Sequence, residues 1–229
     1  GKSGLVGGIG LGIAMISFIY SITNTTAAIT LLCLAAMPFF TALLAFLFLK
    51  EKISLNVWIS MLIATVGIII MAVGNTEKNS LIGFVFGLTS SIGFSIFSVT
   101  LRWRKETPKF TTVAVAGLFC FITATIMILV NKQPFFATSY NSAMFSLHGV
   151  LVCLGLILYS IGSKAIQAAE LTLLSLTEVI GGIFWVWLPL FGINEIPSTN
   201  TIAGGFFLFV SLIYYSLIMR WNKRYIALN

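Results

Sequence analysis

The sequence predicts an all-α polytopic membrane protein with eight transmembrane helices. Hydrophobic residues make up 59% of the 229 residues and charged residues only 8%, whereas a soluble domain has about 25% charged residues. The apolar residues form continuous runs of the length needed to cross about 30 Å of hydrocarbon. Because strands of a membrane barrel are shorter and alternate apolar with polar residues, helices are the predicted element.

Eight apolar runs follow one another along the chain. In order they cover about residues 4–22, 27–49, 55–74, 81–101, 110–130, 143–162, 168–190 and 200–220. The polar segments that separate them read NTT, KEK, NTEKNS, RWRKETPK, NKQPFFATSYNS, SKAIQ and FGINEIPSTN. The first run is as long as the others and is not followed by a small-residue cleavage site, so we expect a span and not a signal peptide.

The basic residues lie almost entirely on one side of this arrangement. Eleven of the thirteen Lys and Arg residues fall on the side of the N-terminus, and only Lys78 and Lys132 fall on the other side. Because basic loops stay in the cytoplasm, both termini are predicted to be cytoplasmic. This bias also accounts for the net charge of +7, so no nucleic-acid partner is expected.

The second and seventh runs share a weak internal similarity. A shift of 141 residues, with three extra residues in the second copy, aligns Ala27-Ala28 with Ala168-Ala169, Met37-Pro38 with Glu178-Val179 and Glu51 with Glu195. Five span steps separate the copies, and an odd number of steps inverts a helix pair in the bilayer. Inverted repeats are typical of secondary transporters, which bind substrate near the midplane between the two units.

Both copies resemble the EamA-type transporters of the drug/metabolite transporter superfamily. The resemblance is carried by AAITLLCLAAMPFFTALLAFLFLKEKIS, with its mid-helix proline and Lys-Glu turn, and by AAELTLLSLTEVIGGIFWVWLPLFGINEIPS. The family's second copy usually has Glu-Pro in mid-helix, where this chain has Glu178-Val179. The missing proline argues against a kink at that point.

The resemblance implies a domain organisation and a function. The family has ten spans in two five-helix units, so residues 1–75 correspond to the last three spans of the first unit and residues 80–221 to a complete second unit. Residues 222–229 are then a cytoplasmic tail. The implied function is transport of a small metabolite, commonly export of amino acids or similar solutes, driven by a gradient and not by ATP, in a bacterial inner membrane.

Glu178 is the main candidate for a substrate contact. It lies about ten residues into its run, which corresponds to a depth of about 15 Å, near the bilayer midplane. A carboxylate there costs at least about 2.5–3.5 kcal/mol on insertion scales, so it should face a cavity, a hydrogen-bond donor or a proton. Its functional interpretation is a proton or cationic-substrate site; its structural interpretation is a glutamate that locks two helices.

Six further residues are candidates for the same site: Tyr20, Pro38 and Thr41 in the first unit, and Tyr159, Ser175 and Trp185 in the second. Pro38 frees a backbone carbonyl at the depth of Glu178, and Thr41 lies within one turn of it. A packing kink without a ligand is the alternative. Ser175 and Trp185 share the helix face of Glu178, with a residue of the interfacial aromatic belt as the alternative for Trp185.

The other charged residues are predicted to be structural. Glu51 and Glu195 lie in turns at opposite membrane edges, where they should cap helices or pair with backbone N–H groups or the lysines beside Glu51. Glu170 and Lys164 are interpreted as boundary charges, with a gate pair as the alternative. Glycines spaced four residues apart, at Gly4, Gly8 and Gly12 and at Gly83 and Gly87, predict close helix crossings.

No catalytic or metal-ligating set is predicted. The chain has no aspartate, no His-Glu-x-x-His pair and no glycine-rich phosphate loop, and Cys33, Cys120 and Cys153 all lie in apolar runs. No cofactor is therefore expected. The expected partners are a small-molecule substrate and membrane lipids, with a homodimer kept as an alternative to a monomer. A non-transporting or truncated membrane scaffold and, less favoured, an intramembrane enzyme are the alternative functions.

Overall fold

The computed structural model describes residues 1–25, 27–73, 81–103, 109–135, 138–187 and 199–227. Its α-helices are α1 (Lys2–Asn24), α2 (Ala27–Leu34), α3 (Met37–Leu44), α4 (Leu55–Val73), α5 (Leu81–Trp103), α6 (Lys109–Val130), α7 (Ser139–Gly162), α8 (Ala168–Leu174), α9 (Leu176–Trp187) and α10 (Thr199–Ala227). A π-helical segment, Ala45–Leu49, extends α3. These ranges contain no strand, so the prediction of an all-α fold is confirmed for them.

Among the described residues, four helices are long and apolar enough to cross a membrane: Lys2–Asn24, Leu81–Trp103, Phe110–Val130 and Ser139–Gly162. In the same part of the chain three shorter apolar stretches, Met37–Leu49, Leu55–Ile70 and Ile202–Tyr215, lie in the second, third and eighth predicted spans. The described ranges are therefore all-α, with helices that suit a multi-pass membrane protein. The count of eight spans and the inverted repeat stay predictions, because the second and seventh predicted spans are not continuous helices.

The second predicted span is interrupted just before its proline. α2 ends at Leu34, and α3 begins at Met37 with Pro38 at its second position. At the start of a helix the missing N–H of proline removes no helical hydrogen bond. Pro38 therefore begins a new helix and does not bend a continuous one.

The seventh predicted span is interrupted although it has no proline. α8 ends at Leu174 and α9 begins at Leu176, so the missing proline at Val179 does not keep this run continuous. The hydroxyl of Ser175, the residue between the two helices, donates to the carbonyl of Thr172 at 2.7 Å. Such a local bond competes with the helical hydrogen bonds of the backbone.

The buried serines of α5 hold neighbouring segments against this helix. Ser91 Oγ donates to the carbonyl of Cys33, and Ser95 Oγ shares its proton between the carbonyl of Ser91 at 2.7 Å and that of Met37 at 3.2 Å. Cys33 and Met37 flank the interruption between α2 and α3. Ser90 Oγ donates to a carbonyl of α1 at 2.8 Å. Because an unsatisfied carbonyl in an apolar environment costs about 1–3 kcal/mol, these serines make the interruption tolerable inside the bundle.

Glycines let several helices approach each other closely. A Cβ at Gly93 of α5 would lie 2.6 Å from the carbonyl oxygen of Gly10 in α1, and a Cβ at Gly67 of α4 would lie 2.6 Å from that of Gly204 in α10. No side chain fits at these crossings. The close crossings predicted from the four-residue spacing are confirmed at Gly8, Gly12, Gly83 and Gly87, where a Cβ would meet atoms of another segment within 3 Å.

The end of α5 meets the turns after α3 and α7 on one side of the molecule. Arg102 Nε donates to Glu51 Oε1 at 2.7 Å, and Arg102 Nη1 donates to carbonyls of the α7–α8 turn. We call this the basic side, because Lys50, Lys52 and Lys164 lie in the same turns. Glu51 is a structural anchor as predicted, although its partner is Arg102 and not a neighbouring lysine. Lys50 adopts a left-handed backbone conformation (φ 53°), and the turn returns Glu51 to the bundle.

Candidate functional site

Glu178 lies in the first turn of α9, three residues after the interruption. The residue as a whole is exposed in the structure. The next residue, Val179, is 1% exposed and packs in the main hydrophobic cluster. Among the described residues Glu178 forms no salt bridge.

The fold brings Tyr159, near the end of α7, close enough to Glu178 for the charge of the carboxylate to act on the phenol. The ring of Tyr159 packs against Phe94 and Phe97 of α5, with centroids 5.2 Å and 5.8 Å away. The structure therefore brings together two candidates from neighbouring predicted spans, and it adds a pair of phenylalanines.

The hydroxyl of Tyr159 is bound by Ser98, which the sequence interpretation missed. The two oxygens lie 2.7 Å apart. Ser98 Oγ also donates to the carbonyl of Phe94 at 2.9 Å, which uses its only proton, so Tyr159 must be the donor to Ser98. The phenolic oxygen is then left as an acceptor. The helical spacing of Ser91, Ser95 and Ser98 in an apolar run is the signal that could have pointed to this face of α5.

Thr41 lies in the interior of the bundle. It is 0% exposed, and its Oγ1 has no hydrogen-bond partner among the described residues. The carbonyl of Met37, the usual acceptor for a threonine four residues later, accepts from Ser95 instead. Pro38 is buried in the same half-helix. Both residues lie where α3 packs against α5 and α8. Both are buried, whereas Glu178 is exposed.

Ser175 and Trp185 lie in the segment that carries Glu178. Ser175 is half-buried between α8 and α9, and its proton goes to the carbonyl of Thr172. Trp185 belongs to α9, but its side chain lies outside the described part of the structure. Its role in the site stays a prediction.

Tyr20 does not join the other candidates. Its hydroxyl donates to Met127 Sδ at 3.3 Å, and its ring stacks on Phe86 with centroids 5.1 Å apart. Phe86 and Ser98 are twelve residues apart on α5, which corresponds to about 18 Å along a helix. Tyr20 and Tyr159 thus lie near opposite ends of α5. In the described residues, no group of three or more His, Cys, Asp or Glu side chains could hold a metal ion.

Comparison with known proteins finds a matching family and several similar proteins. The EamA-like transporter family matches residues 2–73. The chain is 25% identical over 214 residues to the pseudopaline exporter CntI of Pseudomonas aeruginosa. This alignment covers 91% of this chain and 72% of the relative. It is 28% identical over 130 residues to an uncharacterized transporter of Helicobacter pylori, a match that spans 57% of this chain and 44% of the relative.

Two further similarities extend over most of the chain. An uncharacterized transporter of Clostridium kluyveri is 24% identical over 221 residues, covering 91% of this chain and 69% of the relative. A solved crystal structure has the same fold, with a TM-score of 0.69 at 19% identity over 93% of this chain and 77% of that chain. The resemblance inferred from the residues is thereby confirmed: residues 2–73 match the EamA-like transporter family, and most of the chain aligns with proteins named as transporters or exporters.

Proposed function

We propose that the protein is a secondary transporter that moves a small metabolite across the membrane by alternating access. The family match and the relatives named transporter or exporter support a membrane transporter. The observation that carries the proposal is Glu178, a carboxyl group in an apolar run, near Tyr159 and without an ion-pair partner among the described residues. A membrane-embedded acid of this kind is costly and is typical of substrate and proton pathways.

The two interrupted spans support the inverted arrangement. The interruption at Ala35-Ala36 and the interruption at Ser175 fall within two residues of each other after a shift of 141 residues. Transporters with inverted repeats commonly build their midplane site from such discontinuous helices. An interruption also lets one half of a span move relative to the other, which alternating access requires.

The chemistry of the site favours a substrate with a protonated amine. Tyr159 offers an acceptor oxygen because its proton is committed to Ser98, and Glu178 offers two more. We therefore assign Glu178 and Tyr159 to substrate binding, with Ser175 and Trp185 nearby on the same segment. Amino acids and similar solutes fit this pattern, and the named exporter among the relatives supports export as the direction.

Substitution of Glu178 in reconstituted vesicles tests the proposal. Glu178→Gln keeps the shape and removes the charge, so we expect flux of amine-bearing metabolites to fall by at least about tenfold, the equivalent of about 1.4 kcal/mol. The matched control is Glu170→Gln, which removes the same charge in the first turn of α8. A screen over amino acids and related metabolites in the wild-type protein supplies the substrate. Equal flux and an equal pH profile in wild type and Glu178→Gln would remove Glu178 from the mechanism.

A further inference from the structure

Arg102 at the end of α5 binds three residues in two separate parts of the chain. Its Nε donates to Glu51 Oε1 at 2.7 Å, and its Nη1 donates to the carbonyls of Ile166 at 2.6 Å and Ser163 at 3.2 Å. The side chains of Arg102 and Glu51 are only 13% and 15% exposed. Because the pair is largely withdrawn from water, its loss matters more than the loss of a surface ion pair.

The partners of Arg102 belong to both interrupted spans. Glu51 follows the π-helical extension of α3, and Ser163 and Ile166 lie in the turn that leads into α8. α3 and α8 are the halves of these spans that lie toward the basic side, and they pack against each other and against α5. Arg102 therefore ties the free ends of both half-helices to a third helix.

An apolar layer lies directly beneath these contacts. Ala45, Val99 and Ala168 come from the π-helical segment, α5 and α8, and they form one cluster in which none is more than 5% exposed. Leu44 and Leu49 pack against it. Val99 is one turn below Arg102 on α5 and adjoins Ser98, the partner of Tyr159. The layer thus separates the Glu178–Tyr159 pair from the basic side.

The other halves of the two spans are joined differently. α2 and α9 meet where Gly182 faces Leu31, whose Cδ1 would be 3.0 Å from a Cβ at position 182. Glu178, one turn before Gly182, is exposed. Arg102–Glu51 is the one salt bridge among the described residues, and it lies at the α3 and α8 ends. In this conformation the Arg102–Glu51 contact and the apolar layer therefore close the path between the site and the basic side, while Glu178 itself is exposed.

We propose that Arg102 and Glu51 form the gate on the basic side of the transport pathway. Their contact holds the ends of α3 and α8 together over the apolar layer. When the contact separates, the two half-helices part, and the Glu178–Tyr159 site becomes accessible from the basic side while the opposite side closes. The inference rests on the proposed transport function, because a gate needs a pathway.

Cysteine accessibility in the full chain tests the gate. Val99→Cys is placed in a background with Cys33→Ala, Cys120→Ala and Cys153→Ala, and an impermeant maleimide is added to inverted membrane vesicles. Glu51→Gln removes the ion pair, so we expect labelling of position 99 to accelerate at least about tenfold, because a hydrogen bond between two charged groups is stronger than one to a neutral group. The matched control is Lys52→Gln, an exposed charge in the same turn, for which the rate should stay within about twofold.

A second variant guards against simple unfolding. Arg102→Lys keeps a cation for Glu51 but loses the planar fork that also reaches the two carbonyls, so its labelling rate should lie between those of wild type and Glu51→Gln. If the cysteine at position 99 is labelled at the wild-type rate in both Glu51→Gln and Arg102→Lys, the proposed gate is wrong. If Glu51→Gln raises labelling but no screened metabolite moves in wild type, the sealing contact stands and the transport function fails. If wild type transports and labelling does not change, the function stands and the gate fails.

Discussion

At the scale of single residues, Tyr159 connects the acidic side chain of α9 to the polar face of α5. Its proton is donated to Ser98 because Ser98 has already donated its own to Phe94. The phenolic oxygen and the Glu178 carboxylate, which lie close enough to interact electrostatically, are both acceptors. In a low-dielectric site a proton or a cationic group stabilises such a pair. This is the physical reason for the amine-bearing substrate proposed above.

Removal of the phenol of Tyr159 should weaken substrate binding. Tyr159→Phe keeps the ring packing on Phe94 and leaves Ser98 bonded to its own helix, so we expect the KM for transport to rise about tenfold and thermal stability to change little. Flux assays in proteoliposomes and a thermal unfolding curve measure both. Tyr20→Phe is the control, because it removes the same group near the other end of α5 and should leave KM within about twofold. Equal effects of the two substitutions would argue against a direct role of Tyr159.

At the scale of elements, the bundle depends on helices that approach each other without side chains between them. α5 is in contact with α1 along much of its length, and the crossing at Gly93 and Gly10 leaves no room for a methyl group. The serines of α5 then reach carbonyls on the neighbouring segments. In a membrane, where burial of apolar surface does not bring helices together, close packing and such hydrogen bonds supply the association.

Alanine at the α1–α5 crossing should destabilise the protein. In Gly93→Ala the added Cβ would lie 2.6 Å from the backbone oxygen of Gly10, and a backbone atom cannot rotate away. We expect a loss of about 1–3 kcal/mol and a lower Tm in detergent. Gly117→Ala is the matched control, because a Cβ there meets nothing within 4 Å and alanine favours helix. If Gly93→Ala is as stable as Gly117→Ala, the close crossing does not exist in the membrane.

At the scale of the whole molecule, the described helices place the basic turns on one side. Glu51, Arg102 and the α7–α8 turn meet there, whereas Thr25 after α1 packs on Gly83 at the other end of α5. This agrees with the alternation of spans that the distribution of Lys and Arg predicts. The turn that contains Asn194–Ser198, on which the inverted repeat also depends, lies outside the described residues.

Sided labelling tests the inverted arrangement and the orientation together. In a cysteine-free background, Lys52→Cys should react with an impermeant maleimide only in inverted vesicles. Asn194→Cys should react only in intact cells, because the second copy is predicted to point the opposite way. A C-terminal tag cleaved only in inverted vesicles would agree with cytoplasmic termini. Reaction of both cysteines from the same face would contradict the inverted repeat.

By itself the sequence determined that lipid surrounds this protein and where its apolar runs lie. It also singled out Glu178 as the residue whose position most needs an explanation. An 8% content of charged residues and continuous apolar runs leave lipid as the only suitable environment, and counting residues along the run predicts that Glu178 lies near the midplane. These properties are local: they depend on composition and on spacing within one run, which a sequence displays directly.

The tertiary structure decided where two spans are interrupted and which side chains meet. Ser98 binds Tyr159 across 61 residues, and Arg102 binds Glu51 across 51. No periodicity predicts such pairs, because they depend on which faces of distant helices are turned toward each other. Ser175 interrupts a run without a proline for a similar reason: a hydrogen bond and packing in the bundle outweigh the propensity of the segment to continue as one helix.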